Sequence, residues 1–561
     1  MNAIRRTEGL GRPRVRLVVL ICALALVAGA CGGSSESKPD AGQAATPSTT
    51  TVSRAGGSKA GPPDGAKPTD GGGVVMAIEA EPEGIDPTRY ALSESGHAVA
   101  SAVFDPLTTL DGDGNAVPYL AKSVVGTNEN KTWTIELPRG VKFHDGSELT
   151  ADLLVKNFEA YRASYVTKLG LQTVTTIEAT DATHVVVQLV RPWAEFPLAL
   201  TSQFGYVVPQ AMIDNPELGA KPVGTGPFIF DSHTGSAPNQ TWKFKKNPNY
   251  WRAGLPHLNA ISFDVVPDNN DRLAKLKAGD IDLLHTYQPQ LINTLRADPE
   301  IKKVENVQGS EDFFLLNTQA PPFDNINARR AVVYSTDSPK WVKEQMLGVE
   351  QPADSPFAPG QPGHSEDSGY PKFDMAKAKE AVKAYTAETG KPLEFQLIAA
   401  NELAAAQEYQ YFTTTWTEAG MKTTLKQLPQ INLIASSATG AYQMARFRNF
   451  SFPNPDVDTI FWLSTSIAQG QTVSLNMARH DNPKIDELAA KALASTDPEV
   501  RDQAYRAMAK IWGEDLPYVW MGRPTWMLAA DPKVNGIYAA TNGTIGTIGG
   551  KPWIAELWVQ Q

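Results

Sequence analysis

From residue 74 onward, short apolar runs alternate with longer stretches whose apolar residues recur at helical spacing, and that alternation predicts a mixed α/β chain. The most telling stretch is Phe313 to Asp337. Phe313, Phe314, Leu315 and Leu316 form an unbroken apolar run, as expected of a strand covered on both faces, and Pro321-Pro322 stops it. Asp324 and Asn325 offer side-chain oxygens to cap a helix over Ala328 to Tyr334. The stretch therefore reads as a crossover between two packing units. Elsewhere the same logic predicts a first strand over Val74 to Ile78, a helix from Ser95 to Phe104, an alternating strand from Trp133 to Leu137, and a helix from a Thr150 cap to Tyr161. Farther along it predicts helices at Met375 to Thr386, Leu403 to Ala419 and Pro498 to Trp512. Strands are expected at Leu393 to Leu397, Lys422 to Leu428 and Leu516 to Met521, the last serving as a return crossing.

At 561 residues the chain is too long for one core, so two or three domains are expected. Its formal charge is -10, and the five arginines and one glutamate of the first thirty residues leave -14 on the remainder. An acidic body repels phosphate backbones, which argues against nucleic acid as a partner. Residues 1–30 combine a basic start with an apolar run, Leu17 to Ala30, too short to span a bilayer, and read as an export signal. The run ends in Ala28-Gly29-Ala30-Cys31, which resembles the lipobox of bacterial lipoproteins, with Cys31 as the lipidated residue. An ordinary signal peptide with an incidental cysteine is the alternative. Residues 31–73, rich in Gly, Ser, Pro and Thr, read as a disordered tether. Once the signal segment leaves, Cys31 stands alone, so no disulfide framework is expected.

Enzyme signatures are missing from the sequence. There is no HExxH, GxSxG or GxxxxGK[ST], and Gly224-Thr225-Gly226 precedes a strand-like run rather than a helix. The run Asp111-Gly112-Asp113-Gly114 lacks the later ligands of a calcium loop and reads as a hairpin turn. The eight histidines never pair at i,i+2 or i,i+4, and Asp280 with Asp282 fits a turn and strand better than glycoside chemistry. No enzymatic activity, metal or cofactor is expected. Twelve tryptophans and sixteen tyrosines supply surfaces suited to lining a cleft.

A set of motifs in fixed order carries a family resemblance: Phe104-Asp105-Pro106-Leu107, Val117 to Ala121, Gly140 to Gly146, Val223 to Phe228, Asn247 to Trp251, Arg272 to Leu284, and Leu316-Asn317-Thr318 followed by Pro322-Phe323-Asp324. Together they resemble the family 5 extracellular solute-binding proteins, the peptide, dipeptide and nickel receptors of bacterial ABC importers. The resemblance implies an α/β, two-lobe periplasmic-binding-protein-like fold of class II (cluster C) with two hinge strands. Lobe I would comprise residues 74–110, 208–314 and 522–561, with an inserted subdomain at 111–207, and lobe II would cover 315–521. It also implies a monomer held outside the cytoplasm at the outer face of the membrane by its lipid. That receptor would capture a peptide or peptide-like solute and deliver it to an ABC permease and its ATPase. The alternatives are a receptor for a metal chelate or small organic ion, and an envelope lipoprotein regulating cell-wall or glycolipid assembly, which a cleft plugged by its own side chains would favour.

By the same resemblance, ligand contacts fall at Glu81, at His285 and Tyr287, at Arg446, Arg448, Asn449 and Ser451, and at Tyr518 and Trp520. Peptide receptors of the family carry Trp-x-x-Asp before the proline at the position of Pro455. Here Arg448 and Ser451 stand in those two places, and Asp456 or Asp458 is left to meet a peptide ammonium. Arg446 and Arg448 are expected to favour an anionic group or a peptide carboxylate through forked hydrogen bonds. Arg446→Ala is then expected to weaken binding while leaving thermal stability nearly unchanged.

Overall fold

The computed structural model describes residues 67–561 except 83, 91, 112–114, 165–170, 172, 237–238, 308–310, 402, 450–454, 468–472, 538–551 and 561. The export signal, Cys31 and most of the expected tether lie outside these residues, as do Ser451 and the turn at 112–114.

Two large sheets organise the chain. The first has seven strands in the order Lys302–Val307, Thr525–Ala530, Leu283–Thr286, Gly73–Ile78, Ala260–Val265, Asn239–Lys246 and Phe228–Ser236. The second has six, in the order Gln351–Pro352, Tyr518–Arg523, Glu311–Leu316, Met444–Asn449, Glu394–Ala400 and Lys422–Leu428. A smaller four-stranded sheet is built from Ser123–Thr127, Thr132–Glu136, His184–Leu189 and Val174–Ala179.

The strand Glu311–Leu316 shows why its last four residues are all apolar. Phe313 and Leu315 enter one core with Tyr518, Trp520 and Trp512, while Phe314 and Leu316 enter another with Trp341, Phe412 and Trp416 on the opposite face. Each such side chain contributes about 1.5–3 kcal/mol by leaving water. Asn325 then caps the helix Ile326–Tyr334 by accepting from Asn327 N, and Thr150 caps Ala151–Ala163 by accepting from Leu153 N.

The chain passes twice between the large sheets, and the two passes are neighbours. Val307 pairs with Thr525 in the seven-stranded sheet, and Asp312 pairs with Gly522 in the six-stranded one. The outgoing pass therefore falls between Val307 and Glu311, and the return pass at Pro524. This moves the expected crossover: Phe313 to Leu316 lies wholly within the second sheet, and the boundary expected at residue 314 falls inside a strand. A run covered on both faces marks a sheet interior, so the joint lies before it. Pro524, with no N–H to give a ladder, separates the two return strands, Tyr518–Arg523 and Thr525–Ala530.

The tether also ends earlier than expected. Thr69 Oγ1 donates to Val559 O at 2.8 Å, Gly71 N donates to His257 O at 2.9 Å, and Asp70 meets His257 at 2.9 Å. Those contacts tie residues 69–71 to the body.

The ordered motifs converge on one buried carboxylate. Asp105 accepts from Thr225 Oγ1 at 2.9 Å, Tyr250 OH at 2.9 Å and Trp251 Nε1 at 2.8 Å, and Tyr119 OH meets Tyr250 OH at 2.8 Å. His144 belongs to the same scaffold. Its Nε2 faces Gly226 O at 2.9 Å and its Nδ1 accepts from Gly224 N at 3.3 Å, while burial lowers its pKa. A Cβ on Gly224 would lie 2.1 Å from Val103 O, so this glycine serves close backbone packing rather than phosphate binding. Asp282 is likewise structural, accepting from Val75 N at 2.8 Å and pairing with Lys533 at 2.7 Å.

Finally, the unit of the four-stranded sheet reaches across to the second half. Ala194 N donates to Leu493 O at 2.8 Å, and Leu493 and Val457 join its apolar core.

Candidate functional site

Arg446 and Arg448 sit two residues apart on the strand Met444–Asn449, so their side chains leave the same face. The antiparallel register puts Asp312 directly opposite Arg448, with Phe314 opposite Arg446. Asp312 fills the space between the two guanidiniums. Its Oδ2 accepts from Arg446 Nη2 at 2.8 Å and from Arg448 Nη2 at 2.9 Å, and its Oδ1 accepts from Arg448 Nε. Glu408, from the helix Leu403–Ala419, takes Arg446 Nε at 2.7 Å. Burial alone would raise the Asp312 pKa, but the charges of Arg446 and Arg448 outweigh it and hold the group down at about 2. The arginine side chains are 16% and 21% exposed, so they are neither solvated surface groups nor open anion holders. Within the chain, Asp312 and Glu408 thus supply carboxylates to both arginines, where the sequence-based expectation had a ligand's anionic group.

Glu350 completes the cluster. Burial, followed by the charge of Asp312, pushes its pKa up to about 8, and its Oε2 is buried without a hydrogen-bond partner. Gly522 makes room for it, since a Cβ there would lie 2.4 Å from Glu350 Oε2.

From the first sheet, Leu283–Thr286 delivers His285 and, just past its end, Tyr287. The guanidinium of Arg448 lies 4.7 Å over the Tyr287 ring, a cation–π contact that links the two halves. Trp526 packs against both, 5.0 Å from Tyr287 and 5.5 Å from His285. Tyr287 is half-buried, whereas His285 is fully buried. The structure thus gathers His285, Tyr287, Arg446 and Arg448.

The other expected contacts lie elsewhere or in different roles. Glu81 accepts from Trp242 Nε1 at 3.1 Å and pairs with His233 at 3.2 Å, the His233 ring being stacked on Trp242. Burial raises the Glu81 pKa, with His233 opposing. Asn449 ends its strand opposite Glu311. Tyr518 and Trp520, at 4% and 2% exposure, pack against Phe313 as core rather than as cleft wall. In that strand the even positions turn inward beneath the helices, which the resemblance alone did not reveal. Asp456 is also spoken for. It is fully buried, grips Arg501 through both oxygens at 2.6 and 3.0 Å, and accepts from Tyr505 OH at 2.5 Å. That pairing removes it as a partner for a ligand ammonium. Asp458 is buried beside it in sequence.

Asp312, Glu350, Glu408 and Trp526 were not singled out from the sequence. Asp312 and Trp526 are placed by strand register, which sets Asp312 against Arg448, 136 positions away, whereas Glu408 comes from a helix and Glu350 directly precedes the strand Gln351–Pro352. Among the described residues no group of three or more His, Cys, Asp or Glu is arranged to hold a metal ion, and no helix is long and apolar enough to cross a membrane.

The chain is 26% identical over 472 residues to the glutathione-binding protein GsiB of Escherichia coli K12, covering 80% of this chain and 88% of that one. Among solved structures it resembles the oligopeptide-binding protein AppA of Bacillus subtilis in complex with a nonapeptide. The TM-score is 0.73 at 21% identity, over 88% of this chain and 100% of that one. It also resembles AgaA of A. tumefaciens R10 in complex with agropinic acid, with a TM-score of 0.75 at 23% identity over 87% and 99% of the respective chains. The two-lobe fold is common to them. The profile described as bacterial extracellular solute-binding proteins, family 5 middle, matches residues 115–471, more than half of the sequence, and this chain belongs to that family.

Proposed function

We propose that this protein is the substrate-binding lipoprotein of an ABC importer, which captures a peptide or peptide-like solute between its lobes and presents it to the permease. The observation that carries this reading is that the chain leaves and re-enters the sheets at neighbouring pairs, Val307 with Thr525 and Asp312 with Gly522, with the Arg448–Tyr287 contact beside them. Two adjacent strands of chain make a hinge, and a ligand that touches both halves favours the closed arrangement only by its difference in affinity for the two states. A peptide-like ligand is supported by the relatives named for glutathione and oligopeptides. The protein acts as a monomer, held at the outer face of the membrane through Cys31, with lobe I formed from three separate segments of the chain around an inserted subdomain at 111–207. No bond is made or broken by it.

A second reading, an envelope lipoprotein that regulates cell-wall or glycolipid assembly without transport, is favoured by one observation: Asp312 and Glu408 already occupy the arginines. Calorimetric titration of the full chain with reduced glutathione, di- and tripeptides, a nonapeptide and agropinic acid separates the two. Saturable one-to-one binding of a peptide supports import. Absence of saturation with the whole panel contradicts it.

A further inference from the structure

The arginine pair has a charge balance that sets which solutes the junction accepts. Two guanidiniums on one strand face would by themselves form an anion trap, since each presents a planar fork of donors suited to a carboxylate or phosphate. Here they are matched by two carboxylates, Asp312 between them and Glu408 beyond Arg446. The donors are nearly used up as well. Arg446 gives Nε to Glu408, Nη1 to Phe447 O and Nη2 to Asp312, and Arg448 gives Nε and Nη2 to Asp312. Arg448 Nη1 is the guanidinium nitrogen of the pair with no hydrogen-bond partner among the described residues, and Tyr287 lies against the same group.

We infer that Asp312 is a specificity-determining residue: it makes the arginine pair electroneutral, so that the site turns away solutes that carry negative charge alone and accepts solutes that carry both charges. This deepens the import reading and rests on it for the identity of the cargo. A solute with negative charge alone meets no net positive field here, and two carboxylates repel it at short range. A zwitterion meets no such penalty, because its carboxylate can take the remaining donor of Arg448 while its own ammonium balances the carboxylates. Glu350, held protonated at neutral pH by burial and by Asp312, leaves that balance undisturbed. The -10 formal charge of the whole chain acts in the same direction on any approaching anion.

The probes that test this need not be the natural cargo. Succinate and inorganic phosphate are titrated at constant ionic strength into the wild type, Asp312→Asn and Glu408→Gln, with folding checked by circular dichroism. The inference expects no saturable anion binding by the wild type. Both variants are expected to bind, tightening by about tenfold or more for the loss of one nearby negative charge. Arg448→Met added to either variant is expected to abolish the gain. Glu408→Gln keeps the test open if Asp312→Asn fails to fold, since Glu408 touches only Arg446 of the pair. Wild type that binds these anions as well as the variants, or variants that gain nothing, overturns the inference. Failure of every peptide in the panel would instead sink the import reading while leaving this result standing.

Discussion

The guanidinium of Arg448 lies 4.7 Å above the ring of Tyr287, so a central strand of the six-stranded sheet touches the end of a strand in the seven-stranded one. The contact belongs to neither core and is made across the joint. A cation–π contact of this kind contributes roughly 0.5–2 kcal/mol. Tyr287→Ala is therefore expected to weaken ligand binding by a few-fold to about thirtyfold, chiefly through faster release, while unfolding stability changes by no more than about 1 kcal/mol. Stopped-flow release rates and urea unfolding of the same variant check both halves of the expectation.

Arg446→Ala has a different outcome from the one its sequence context suggests. The variant strips Asp312 and Glu408 of a buried partner, and breaking a buried pair on one side costs about 3–5 kcal/mol. Denaturant unfolding is expected to show that loss. A variant as stable as the wild type would mean that water reaches the two carboxylates.

Asp456 separates a structural role from a ligand role. Asp456→Ala takes from buried Arg501 the carboxylate it grips, so a loss of about 3–5 kcal/mol in unfolding free energy is expected. Ligand affinity of the folded protein is expected to stay within a few-fold. A stable variant that no longer binds peptide would return Asp456 to the site.

Glu350 gives a pH dependence with a defined sign. Its pKa is about 8 in the fold against an ordinary value of 4.5, so between those values the folded chain holds a proton that the unfolded chain has released. Its contribution to stability is full below about pH 4.5 and is lost as pH rises through about 8. Glu350→Gln stays neutral throughout, and its stability is expected to lack a downward slope of up to about 1.4 kcal/mol per pH unit seen in the wild type across that window. Parallel slopes in urea unfolding at pH 5, 6, 7 and 8 would contradict this assignment.

Much of the scaffold was legible because its signals are local. The helix Leu403–Ala419 and strand Lys422–Leu428 have the bounds their periodicity predicts, and Thr150 and Asn325 cap their helices as their side chains suggest. Asp312 was not legible, although it directly precedes the run Phe313 to Leu316. Its meaning comes from Arg446 and Arg448, more than 130 residues away, and from a register that no local pattern encodes. Tyr518 and Trp520 were assigned to a cleft by resemblance, whereas strand alternation sends them inward with Phe313. The crossover was misplaced for a related reason: a doubly covered run identifies the middle of a sheet, and the joint itself has no apolar signature.

The central claim, that a small solute is held between the two halves, is tested most directly by native mass spectrometry of protein freshly purified from its own cells. The account predicts a mass excess in the native spectrum that disappears on denaturation and is released as one small molecule carrying both an amine and a carboxylate. Identical native and denatured masses, persisting after incubation with a peptide-rich cell extract, would contradict it.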